Sequence, residues 1–102
     1  HYRVAVIGSS EEDARALRRS ISQVWSGPGA TLYAGVEHPD RVREVFDQAD
    51  IVVISKTTHE RLTVPIPERL QVVEYTNELD QPSVDMLRTA IRYIQAKKMK
   101  GQ

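Results

Sequence analysis

Cysteine is absent from these 102 residues. That single absence removes disulfides, thiolate metal sites, cysteine nucleophiles and phosphocysteine chemistry together. It accords with a cytoplasmic setting, the expected localisation. Charge of one sign is absent too. Fourteen basic residues cancel fourteen acidic ones, so the domain as a whole lacks the electrostatic footprint of a nucleic-acid or membrane-surface binder. No apolar run approaches the roughly 20 residues that span a bilayer, and no secretory leader pattern is visible. Neither direct nucleic-acid contact by this domain nor a membrane partner is therefore expected. The three histidines, His1, His38 and His59, lie far apart in the sequence and lack metal-ligand spacing. No metal and no cofactor are expected.

What remains is an ordinary globular composition, 40% hydrophobic and 27% charged. A chain of this length makes one domain, residues 1–102, with a core of its own. It does not start with methionine, and Tyr2 to Ile7 already reads as a core strand. The expectation is a piece of a longer regulatory polypeptide.

Strands and helices alternate along the chain. Arg3–Ile7 is a short run rich in valine and isoleucine, the mark of a buried strand. From Glu11 to Trp25, apolar Ala14, Leu17, Ile21, Val24 and Trp25 fall on one helical face. Arg15, Arg18, Arg19 and Ser22 take the opposite face. Ser26-Gly27-Pro28-Gly29 is turn chemistry that ends this helix. Thr31–Val36 reads as a second strand. Pro39 opens a short helix with core residues Val42, Val45, Phe46 and Ala49, since proline costs nothing in a first turn. Ile51–Ser55 is the clearest strand. Thr57–Leu62 predicts a brief helical turn, and Val64-Pro65-Ile66-Pro67 an extended loop. Gln71–Tyr75 is a fourth strand, and Ser83–Lys97 a last helix with Val84, Leu87, Ala90, Ile91 and Ile94 inward.

This alternation predicts an α/β three-layer sandwich with a four-stranded parallel sheet, right-handed crossovers and strand order 2-1-3-4. Such a sheet is a truncated flavodoxin-like or Rossmann-like fold. Ligands bind these sheets outside the carboxyl ends of the strands, where the chain reverses direction across the sheet. The residues brought there are Gly8, Ser9 and Ser10 after the first strand and Ser55, Lys56, Thr57, Thr58 and His59 after the third. Thr76 and Asn77 approach from one side.

Val4 to Asp13, V-A-V-I-G-S-S-E-E-D, is the stretch with the most chemical content. A strand that ends on glycine and enters a helix through serines can present free N–H groups to an anion. The same serines can instead cap those groups, with the acids complementing the helix dipole. Glu11, Glu12 and Asp13 place negative charge where a phosphate would sit. The dinucleotide glycines and the P-loop lysine are both missing, so capping is the favoured reading. A phospho-acceptor receiver domain has a similar alternation, but Ser55 and Lys56 stand where its aspartate belongs. A lysine accepts no phosphoryl group. His59 lacks an evident orienting acid and nucleophile, since Glu60 adjoins it but points elsewhere. The Lys97-Lys98-Met99-Lys100 run suits a solvated helix end. Met86 and Tyr93, one heptad apart and off the core face, are the candidate interface residues.

Y-R-V-A-V-I-G-S-S-E-E-D-A-R-A-L, A-D-I-V-V-I-S-K-T-T-H-E-R-L and the late L-D-Q-P-S-V-D-M-L together resemble a known regulatory domain. It is the α/β effector and dimerisation domain that follows the winged-helix DNA-binding domain in some bacterial GntR-family transcription regulators. The departure is Gln81, which interrupts a Leu-Asp-Pro junction. The resemblance implies a non-enzymatic module that senses a small-molecule effector, forms a homodimer or contacts another domain of its own chain. Gly8, Ser9, Ser10, Ser55, Thr57, Thr58 and His59 are the expected ligand contacts. The alternatives are a degenerate receiver-like protein-interaction module and a small Rossmann-like enzyme. No nucleophile–base pair is visible to support the enzyme.

Overall fold

The computed structural model describes residues 2–20, 30–76 and 81–100. The anticipated run of the first helix through Ile21, Val24 and Trp25, the turn at 26–29, and His1 and Asn77 lie outside the described residues.

Four strands and four helices alternate: β1 (Arg3–Gly8), α1 (Glu11–Ser20), β2 (Ala30–Gly35), α2 (Pro39–Gln48), β3 (Ile51–Ser55), α3 (Lys56–Arg61), β4 (Gln71–Tyr75) and α4 (Gln81–Lys100). All strand pairs are parallel and the order is β2-β1-β3-β4, as the alternation predicts. β3 is interior to the sheet, and all five of its residues are buried. A strand covered on both faces must be apolar along its whole length, which is why I-V-V-I reads so plainly.

The period of two divides the core into two halves. Val4, Val6, Ile51, Val53 and Val73 pack with Tyr2, Ala14, Leu87, Ala90 and Ile94 beneath α1 and α4. Ala5, Ile7, Val52 and Ile54 pack on the other face against Val42, Val45 and Phe46 of α2 and Ala49 at its C-cap, with Val64 and Leu70 from the loop before β4. Each fully buried Val, Ile, Leu or Phe contributes roughly 1.5–3 kcal/mol relative to exposure, so the two halves together supply the main driving force. Arg69 closes the second half. Its guanidinium donates to the Ala49 carbonyl at 2.7 Å and to that of Phe46, satisfying the last carbonyls of α2 with a cation where the helix dipole favours one.

Element ends differ slightly from the sequence reading. β2 sits one residue earlier, at Ala30–Gly35. α3 begins at Lys56 because Ser55 caps it, its hydroxyl accepting from Thr58 N–H at 3.1 Å. α4 begins at Gln81 and carries Pro82 in its first turn, where proline fits. Two arginines of α1 reach β2. Arg18 Nε donates to Thr31 Oγ1 at 3.2 Å, and the Arg15 guanidinium lies 4.5 Å from the centre of the Tyr33 ring.

Candidate functional site

The carboxyl ends of β1, β3 and β4 meet α1 and α3 in an open crevice of about 210 Å³. Gly8, Ser9, Asp13, Ser55, Thr57, Thr58, Tyr75 and Thr76 line its polar part, and Ala14 and Leu17 its floor. Five of the seven residues anticipated here are brought together: Gly8, Ser9, Ser55, Thr57 and Thr58.

Two glycines make the geometry possible. Gly8 and Gly35 are register partners at the ends of β1 and β2. A Cβ at Gly8 would lie 2.7 Å from Ala14 N and 2.8 Å from Ser10 O. A Cβ at Gly35 would lie 2.6 Å from Ser10 Cα and 2.8 Å from Glu11 N. The first turn of α1 thus rests directly on the two strand ends, which is what holds Ser9 and Asp13 at the crevice wall.

Ser10 is not in that wall. Its hydroxyl accepts the Asp13 N–H at 3.2 Å and its carbonyl the Ala14 N–H at 3.1 Å, so it is the N-cap of α1. Asp13 sends its carboxylate to the Ser9 hydroxyl rather than back to the Ser10 N–H, so the full reciprocal box is not formed. Across the crevice Ser55 Oγ donates to Thr58 Oγ1 at 2.7 Å and lies 3.3 Å from Thr57 Oγ1. Both helix starts facing the crevice therefore spend an N–H on their own serine, and among the described residues the wall carries a carboxylate and no basic side chain. These residues do not fit the pyrophosphate of a dinucleotide, which needs free N–H groups and close backbone approach.

His59 also lies elsewhere. Positions 56, 59 and 60 share the face of α3 turned away from the crevice, following helical spacing. There Lys56, His59, Glu60 and Glu74 line a shallow surface depression. His59 Nδ1 meets Glu74 Oε2 at 2.6 Å, a half-exposed pair joining α3 to β4. Glu74, not the neighbouring Glu60, is the acid that orients this histidine. Among the described residues no cluster of His, Asp or Glu is arranged to hold a metal ion.

Asp13 and Tyr75 are crevice residues that sequence reasoning missed. Tyr75 follows Val73 by two positions, so the strand period puts it on the α1 face, where α1 and the crevice are. Burial, and after it the Asp13 carboxylate, push the Tyr75 phenol above its ordinary 10.0, so it stands as a neutral O–H in the crevice at neutral pH.

Met86 and Tyr93 are exposed, at 48% and 53%, along the outer flank of α4. With Val72, Val73, Pro82, Asp85, Thr89 and Ala90 they shape a groove of about 440 Å³ beside β4. No helix among the described residues is long and apolar enough to cross a membrane.

Comparison with curated proteins gives no match, and comparison with solved structures gives none. The sequence does match the YmtS Rossmann-like domain over residues 5–98, from within β1 to near the end of α4. That span takes in all four strands and the crevice, and the parallel 2-1-3-4 sheet agrees with it. The chain belongs to the YmtS Rossmann-like domain family.

Proposed function

We propose that this domain is a non-catalytic sensor that binds a small neutral or cationic polar molecule in the crevice at the ends of β1, β3 and β4. In the setting implied by the GntR-family resemblance, it is the cytoplasmic effector domain of a bacterial transcription regulator. The carrying observation is the chemistry of the wall among the described residues: hydroxyls from Ser9, Ser55, Thr57, Thr58 and Thr76, a neutral phenol from Tyr75, and the carboxylate of Asp13. Hydroxyls and a phenol both donate and accept, which suits a polyol or an amino alcohol. Asp13 favours a ligand cation and opposes an anion.

A catalytic reading has less support. His59 has an orienting carboxylate, but among the described residues its depression with Lys56, Glu60 and Glu74 holds no hydroxyl or thiol nucleophile. A binding event transmits a signal only through different affinities for two states. Here the connection is β4, which lends Tyr75 to the crevice and Val72 and Val73 to the α4 groove.

The test is a thermal-shift screen of the chain with glucose, myo-inositol, serine, putrescine and inorganic phosphate. A probe at 100 times its dissociation constant adds about 2.7 kcal/mol, a shift of roughly 10 °C or more for a domain of this size. Stabilisation by a neutral or cationic probe that is lost in Thr57→Val supports the reading. Stabilisation by phosphate alone defeats it. Turnover of any substrate that disappears in His59→Ala would restore the enzyme alternative.

A further inference from the structure

The two edges of the sheet are treated differently. β2, at one edge, is guarded by arginines from both faces. Arg15 lies over Tyr33, Arg18 donates to Thr31, and Arg41 Nε donates to the Tyr33 carbonyl at 3.3 Å. Charged side chains along an edge are how proteins prevent strand-to-strand association. β4, at the other edge, pairs only with β3 among the described residues. Its flank is apolar instead: Val72 is 38% exposed, and Met86 and Tyr93 stand beside it on α4.

That flank is self-complementary. Asp85 and Arg92 are both exposed and lie seven residues apart on α4, about 10.5 Å along one stripe of the helix. Met86 and Tyr93 repeat the same spacing on the neighbouring stripe, with Thr89 between. Gln81 Nε2 donates to Asp85 Oδ1 at 2.9 Å and holds that carboxylate at the groove rim. A twofold axis beside Thr89 sets two α4 helices antiparallel. It then brings Asp85 of each copy to Arg92 of the other, and Met86 of each to Tyr93 of the other. The same axis lays the two β4 edges side by side and antiparallel, so the sheet can continue across the contact. A twofold contact requires this kind of self-matching patch.

We infer that the β4 edge and the Met86/Tyr93 flank of α4 bind a second copy of this chain, forming a twofold dimer with reciprocal Asp85–Arg92 pairs. This inference does not depend on the crevice or on what the crevice binds. Its test is sedimentation velocity of the chain from about 1 µM to about 1 mM, a span that covers weak to moderate dimers. The wild type should pass from monomer to dimer within it. Asp85→Arg and Arg92→Asp each put like charges together twice, and each should weaken dimerisation at least about tenfold. Mixed one to one, the two variants recover both pairs. Their heterodimer should form with an affinity within about threefold of the wild type. Thr89→Arg, which sets two guanidinium groups against each other at the axis, should also give a monomer whose circular dichroism matches the wild type. A wild type that stays monomeric at about 1 mM means that something other than a second copy covers the groove, and overturns the proposal. So do single variants that dimerise normally, or a mixture that fails to recover the dimer.

Discussion

The crevice and the α4 groove both open beside β4, yet they are made of opposite materials. The crevice is smaller, at about 210 Å³, and its walls are hydroxyls, a phenol and a carboxylate. The groove is larger, at about 440 Å³, and its walls are largely valine, methionine, proline, alanine and the face of a tyrosine. A polar recess with few apolar atoms gains little from burying protein surface, but it offers specific hydrogen bonds to a small solute. An apolar groove at a sheet edge gains from excluding water over a broad area. One strand thus borders both regions, with its carboxyl end in the first and its middle in the second.

Several substitutions separate the two regions. The largest effect should come from Gly35→Ala. The added methyl meets backbone atoms of Ser10 and Glu11, which cannot rotate away. Strain of this kind costs about 1–3 kcal/mol, read as a lower midpoint in urea unfolding. It should also displace α1 from the crevice wall while leaving α4, and so the proposed dimer contact, intact. Equal damage to both regions would show that they are not structurally separable.

Ser55→Ala comes next. It removes the cap of α3 and the partner of the buried Thr58 hydroxyl, at a cost of about 1 kcal/mol. Denaturant titration checks this, and an unchanged midpoint would mean that the cap contributes nothing.

A smaller effect concerns Tyr75. Its phenol is held above 10.0 in the fold, so above pH 10.0 the folded state binds more protons than the unfolded state. Stability from this group is complete below that pH and is lost as pH rises through the folded value. Tyr75→Phe should therefore show a flatter decline in stability in alkali than the wild type, by comparison of urea midpoints at pH 9 and above. Smallest of all, Asp13→Asn should lower the Tyr75 titration only part of the way, since burial is the larger cause. Ultraviolet difference titration measures this; a full return to 10.0 would assign the shift to the carboxylate instead.

The sheet was legible because its signals are local and redundant. I-V-V-I-S is a short run rich in β-branched residues bounded by polar ones, and four strand-length runs separated by helical periods leave few topologies. Pro39 and the Val42/Val45/Phe46/Ala49 spacing likewise marked α2. The crevice was legible in part. Gly8, Ser9, Ser55, Thr57 and Thr58 follow from knowing which strand ends face it. Ser10 and His59 did not, because adjacency in sequence does not tell which way a residue turns on its helix. Ser10 turns inward as a cap, and His59 shares a face with Lys56 and Glu60 against Glu74. Gly35 carried no local signal, since its need for a bare Cα arises only where α1 crosses the end of β2. Tyr75 and Glu74 were within reach. The period of two from buried Val73 assigns one to the α1 face and the other to the α3 face.

As proposed above, the crevice receives a small non-anionic molecule. Amide chemical shifts of the nitrogen-15-labelled chain, titrated with glucose, myo-inositol, serine, putrescine and phosphate, test it at residue level. A neutral or cationic probe should move the amides of Gly8, Ser9, Thr57 and Thr76 together, while phosphate leaves them in place. Movement of those amides by phosphate alone, or by no probe at all, would contradict it.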